Sequence, residues 1–163
     1  MTTDTHDALW LNAGQQHAWR AYLVGTTLLM DRLDRDLRER HQLSLPEYEI
    51  LVRLSEAPER RLRMAALADS LSHSRSRVTH TVARMERTGL VRRVACESDG
   101  RGVEARLTAD GFRVLEEAAH THVRGVRDYL VDLASDDDFA AVGRVFDAVT
   151  DHLVSAQPGL DIR

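Results

Sequence analysis

Apolar residues recur three or four positions apart along most of this chain, and one short stretch breaks that rhythm. Trp19, Leu23, Thr26, Met30, Leu33 and Leu37 keep helical spacing across a pattern that runs from about Ala8 to His41. A helix of that length, with that much apolar surface, needs a partner to pack on. Ser44-Leu45-Pro46-Glu47 reads as a capping box with proline in the first turn, so a second helix starts there. Ile50, Leu51 and Leu54 form its buried stripe, and Ala57-Pro58 ends it. A short third helix covers about Met64 to Leu71, with Met64, Leu67 and Leu71 inward. Ser74 caps a fourth, which turns Val78, Val82 and Met85 to the core and stops at Gly89.

The period then falls to two. Residues 90–95 and 103–107 have strand character and flank the polar tip Glu97-Ser98-Asp99-Gly100-Arg101-Gly102, which reads as a β-hairpin. Thr108 caps a second long helix through about Leu133. Ser135-Asp136-Asp137-Asp138 caps the last, which carries Val142, Val145, Phe146, Val149 and Leu153. The two ends, 1–7 and 158 onward, are expected to be loose. Two short helices joined by a tight turn, an amphipathic helix and a hairpin make a winged helix-turn-helix. The predicted fold class is mainly α (α+β): one domain over 1–163, with a DNA-binding core at 44–108 and a two-stranded wing. The long helices at 8–42 and 110–156 carry more apolar surface than so small a core can cover, so a two-fold homodimer is expected.

Composition narrows the function. The 163 residues are 43% hydrophobic, enough for a packed core, and all 22 basic side chains are arginine. Net charge is −4, but residues 53–106 hold 12 arginines against 7 acids, while the remainder holds 10 against 19. A centre at +5 within a frame at −9 suits a protein that turns one face to a polyanion. With one cysteine, Cys96, there is no internal disulfide framework, and the N-terminus lacks the basic start and apolar run of a signal peptide. No membrane span is expected, and the location read from the sequence is cytoplasmic, on the nucleoid when DNA is bound. His120 and His122 are two apart, on opposite sides of a helix, so they form no metal pair. No phosphate loop, nucleophile elbow or catalytic dyad is present, and neither an enzyme nor a cofactor is expected.

The charge concentrates on the fourth helix. With Val78, Val82 and Met85 inward, Arg75, Ser76, Thr79, His80 and Ala83 face outward and Arg77 lies on the flank. No acid lies between Ser74 and Met85, whereas a merely solvated helix face would carry oppositely charged pairs four apart. Arginine is the best partner for a guanine edge, and serine and threonine serve bases or phosphates. Ser74, Arg75, Ser76, Arg77, Thr79, His80 and Arg84 are the candidate DNA-binding residues of this helix. Arg101, between two glycines at the hairpin apex, can reach a narrow minor groove, and Asp99 can brace an arginine in the wing. Turn chemistry alone accounts for Asp99 and Gly100 but not for an arginine at the apex.

The segments SLPEYEILVRLSEAP, RMAALADSLSHSRSRVTHTVARMERTGLVRR and CESDGRGVEARLTADG, together with the element order, resemble the MarR (multiple antibiotic resistance regulator) family of dimeric transcription factors. The resemblance implies a winged-helix repressor on a palindromic operator, with the fourth helix in the major groove and the wing arginine in the minor groove. By position, Ser76, Arg77 and His80 match base-facing sites, Ser74 and Thr79 phosphate sites, and Arg101 the wing arginine. Gly100 stands where many members have a first arginine, which implies a weaker grip on the minor groove. The resemblance also implies a small, commonly anionic aromatic ligand between the dimer helices and the core, with Trp19, Arg20, Tyr22 and Tyr48 as candidate lining; packing aromatics are the plainer reading of Trp19 and Tyr48. The alternative function is a helical dimeric protein-interaction module that does not bind DNA, and it would show exposed apolar anchors on the fourth helix.

Overall fold

A computed structural model describes residues 10–96 and 102–155. Helix α1 spans Ala13–His41 and starts later than its apolar pattern. Asn12 is the reason: its side chain accepts from the Gln15 amide at 2.9 Å, and Gln15 Oε1 accepts from the Asn12 amide at 2.9 Å. This reciprocal cap leaves Trp10 and Leu11 ahead of the helix. Helix α2 (Leu45–Glu56) begins at the Ser44 box, and α3 (Met64–Ser70) and α4 (Arg75–Arg87) follow as read from sequence. Gly89 ends α4 with φ at 77°; its amide donates to Glu86 O and the Leu90 amide donates to Met85 O. That pairing is a Schellman stop, for which glycine is the natural residue.

The wing strands are β2 (Val91–Ala95) and β3 (Val103–Leu107), paired antiparallel, with the Cys96 amide donating to Gly102 O at 2.9 Å. A further strand, β1 (Arg61–Arg63), pairs with β3 on its other side and gives a three-stranded sheet in the order β1-β3-β2. The two-stranded wing expected from sequence is thus present, and β1 extends its sheet to three strands. Arg61-Leu62-Arg63 has no strand signature of its own; its ladder bonds to β3 make it extended.

Helix α5 (Ala109–Tyr129) is shorter than expected. It breaks at Leu130, and Val131–Leu133 form a separate 3-10 turn with Arg127 clasping Asp132 at 2.7 Å. Helix α6 (Asp136–Ser155) completes the fold. Thr108 joins α5 to the wing: its hydroxyl accepts from the Gly111 amide at 2.9 Å and lies 2.7 Å from Gly89 O. Gly111 is there because the chains nearly touch, and a Cβ would come within 2.0 Å of Leu90 O.

Leu37, Ile50, Leu51, Leu54, Leu67, Val78, Val82, Met85 and Val91 form one core between the helix-turn-helix, the sheet and the ends of α1 and α5. Polar clasps fix α1 to α5: Tyr129 donates to Asp36 at 2.9 Å, and His41 lies 2.7 Å from Thr121 Oγ1. α6 differs in kind, because none of its residues is buried. Among the described residues, no helix is long and apolar enough to cross a membrane.

The Ser44 cap is itself buried. Glu47 Oε2 accepts from the Ser44 amide at 2.8 Å and from its hydroxyl at 2.6 Å, while Glu47 Oε1 accepts from Arg84 Nε at 2.8 Å. Burial raises the carboxyl's pKa, but the bonds from Ser44 and Arg84 outweigh it and hold Glu47 below its ordinary 4.5. A depressed folded pKa adds stability that is complete above the ordinary value and is lost as pH falls through the folded one. Thermal melts taken from about pH 7 to about pH 3 should therefore fall more steeply for the parent than for Glu47→Gln, whose amide takes up no proton. Equal acid slopes would show that Glu47 does not carry this linkage.

Candidate nucleic-acid interface

Helix α4 presents the charged face that its apolar spacing requires. Val78, Val82 and Met85 are buried to within 1% exposure, so the helix is locked on one side. At about 100° per residue, Ser76, His80 and Arg87 then lie on nearly one line opposite the core. Arg75, Ser76, Arg77, Thr79 and His80 are all exposed. Among the described residues, Arg75, Arg77 and Arg87 form no ion pair, and Glu86, the acid in this helix, is bound to Arg93 at 2.7 Å. The exposed face therefore has arginines that no carboxylate clasps, although the field of Arg77 reaches Glu49.

Two hydroxyls assigned to phosphates from sequence already have backbone partners. Ser74 Oγ accepts from the Arg77 amide at 3.3 Å, which leaves its own proton to donate. Thr79 Oγ1 donates to Arg75 O at 2.8 Å, so in this rotamer it has no proton to offer a phosphate. Arg84, grouped with the contact residues from sequence, is engaged inward: beyond its pair with Glu47 it lies 3.4 Å from Ser44 Oγ. Arg87, seven residues beyond His80, is exposed and shares its direction. Asp99 and Arg101 lie outside the described residues.

The residues expected to line a ligand site divide between two places. Trp19 stacks on Tyr22 with ring centres 5.7 Å apart, and Tyr22 meets Phe146 of α6 at 5.3 Å. Trp19 and Arg20 border a shallow depression beside Trp10. Tyr48 instead lines a separate cleft of about 690 Å³ between α1, α2, α5 and the turn before α4. There its ring faces His122 at 4.6 Å. Burial lowers the His122 pKa below 6.5, and its Nδ1 is buried with no hydrogen-bond partner among the described residues. Glu49 borders the same cleft; burial raises its pKa, against the opposing fields of His73, Arg77 and Arg53. Arg53 lies 3.8 Å from Glu56, also in the lining.

Cys96 is buried, with its sulfur 3.3 Å from Glu104 Oε1. No group of three or more metal-ligand residues is assembled among the described residues.

Comparison with known proteins agrees with this geometry. Residues 41–102, from the last residue of α1 to the hairpin, match the model of the MarR family. The HTH-type transcriptional regulator PecS of Dickeya dadantii (strain 3937) is 30% identical over 132 residues, covering 76% of this chain and 79% of PecS. Among solved structures, the MarR family regulator Sco3205 of Streptomyces coelicolor, determined in complex with DNA, superposes with a TM-score of 0.86. It is 41% identical, with 92% of each chain covered. AbsC, a MarR family regulator from the same organism, gives a TM-score of 0.84 at 39% identity over 90% of this chain and 98% of its own. A winged helix-turn-helix with an acid-free recognition face and matches of this extent identify the chain as a member of the MarR family of DNA-binding transcriptional regulators.

Proposed function

We propose that two copies of this chain bind a palindromic operator as a homodimer and repress by occupying it. The observation that carries this is the exposed face of α4, where Arg75, Ser76, Arg77 and His80 stand with no acid among them and, among the described residues, neither arginine forms an ion pair. In the proposed complex Arg77 and His80 read base edges, Ser76 assists them, and Ser74, Arg75 and Arg87 hold phosphates. Arg101 and Asp99 are the proposed wing contacts. A protein-docking face would need apolar anchors, and the exposed line of α4 has none among Ser76, His80 and Arg87.

The partner is a second copy because α1 and α6 leave many large apolar side chains uncovered. Trp19, Leu23, Val24, Leu28, Val142, Val145, Phe146 and Val149 are all exposed. A dimer through these helices sets its recognition helices about 34–36 Å apart, one turn of duplex. The proposed dimerisation segments are 8–42 and 110–156 and the proposed DNA-binding core is 44–108, with the cytoplasm, at the DNA, as the working location.

The orphaned His122 Nδ1 supports an effector site in the cleft beside Tyr48. Arg53 is near Glu56, and Glu49 adds a second carboxylate. The lining therefore favours an uncharged aromatic that hydrogen-bonds His122 over the anionic aromatic expected from family resemblance.

Selection from random duplex DNA should yield a two-fold symmetric site, and Arg77→Ala or His80→Ala should cost about 1–3 kcal/mol of discrimination at one position per half-site. A uniform, salt-sensitive loss on every sequence would make both residues phosphate contacts. In calorimetric titrations phenol should bind more tightly than benzoate, and His122→Leu should abolish the difference; tighter binding of benzoate would reverse the assignment.

A further inference from the structure

Arg84 stands seven residues after Arg77 and four after His80, so all three share one flank of α4. Its guanidinium nevertheless reaches back to Glu47, with the side chain 49% exposed. Nε donates to Glu47 Oε1 at 2.8 Å, and a terminal nitrogen lies 3.4 Å from Ser44 Oγ. Glu47 and Ser44 are only 7% and 2% exposed, so the receiving site is rigid and mostly dry. That site is tied in turn to the last turns of α1. The Leu45 amide donates to Asp34 Oδ1 at 2.8 Å, and Arg38 pairs with the other oxygen of Asp34. Polar contacts thus run from α1, through the start of α2, to the last turn of α4.

We propose that Arg84 is a positioning residue: its pair with Glu47 sets the rotation and offset of the recognition helix relative to α1, and so the half-site spacing that the dimer accepts. The inference rests on the dimeric DNA-binding reading above and deepens it. The geometry follows from the ends of the chain of contacts. The upstream part of α1 carries the exposed apolar face, whereas Arg77 and His80 ride on α4. Apolar packing by Val78, Val82 and Met85 decides which side of α4 is buried but tolerates small rotations and slides. A hydrogen-bonded pair to a buried carboxylate is directional and removes that freedom. A phosphate that pulled Arg84 Nε away would leave Glu47 buried without this cation, which is costly, whereas the half-exposed terminal nitrogens can turn outward with the Nε bond kept.

The test uses the full chain and three duplexes: the selected palindrome, and versions with the half-sites moved one base pair closer or farther, about 3.4 Å each way. Parent, Arg84→Ala, Glu47→Gln and the double variant are titrated across a salt series. The parent should prefer the native spacing; failure to bind any duplex would overturn the DNA reading itself. Each single variant should lose roughly tenfold on the native spacing and far less on the shifted ones, so that the preference narrows. The double variant should be no weaker than either single one. Salt dependence should stay at the parent slope, because no phosphate contact has been removed.

The opposite pattern overturns the proposal. It consists of Arg84→Ala losing about one unit of salt slope equally on all three duplexes, while Glu47→Gln binds as well as the parent or better. Glu47→Gln is isosteric and decides the matter alone should Arg84→Ala fail to fold: unchanged affinity with unchanged spacing preference contradicts a positioning role.

Discussion

Helix α6 runs for 20 residues without one buried side chain, although Val142, Val145, Phe146, Val149 and Leu153 repeat along a single face. Apolar surface on that scale is not left to water in a stable soluble fold. The chain therefore has two unequal halves. The helix-turn-helix and sheet bury one core together with the ends of α1 and α5, while the rest of the terminal helices presents a surface suited to another copy of itself. The proposed function depends on this inequality. One recognition helix gives one half-site, and only a shared helical scaffold turns two weak contacts into a symmetric, spacing-sensitive grip on DNA.

The recognition helix is held by two different kinds of interaction. Val78, Val82 and Met85 supply non-directional burial, which selects the inward side and leaves the polar line outward. Glu47 supplies a direction through Arg84, and the Ser44 cap links that direction to α1 through Asp34. The cleft beside Tyr48 borders the same region, since Ser72 and His73 at the start of the turn into α4 line it together with Met30 and Leu33 of α1. An occupant there would press on the elements that set the pose of α4.

Most of the fold was legible because it is written in local chemistry. The Ser44 and Thr108 caps, the Gly89 stop and the inward triplet of α4 depend on residues within a turn of one another. What escaped depends on distant partners. β1 is a strand only because β3 lies beside it, and nothing in Arg61-Leu62-Arg63 announces that. The Asn12 cap was local, but the apolar pattern running through it was stronger and moved the expected start to Ala8. Arg84 looked like its neighbours on an outward flank, and only the position of Glu47, 37 residues earlier, turns it inward. Trp19, Arg20, Tyr22 and Tyr48 are grouped as ligand lining by family resemblance alone, yet Tyr22 packs on Phe146 of α6 while Tyr48 faces His122.

Sedimentation equilibrium of the free protein at micromolar concentration tests most directly whether the uncovered faces of α1 and α6 belong to a second copy. The expected mass is twice the 18.4 kDa chain, with dissociation promoted by an arginine at Val145 or Leu28. A stable 18.4 kDa species across the concentration range would contradict the dimer and, with it, the symmetric operator.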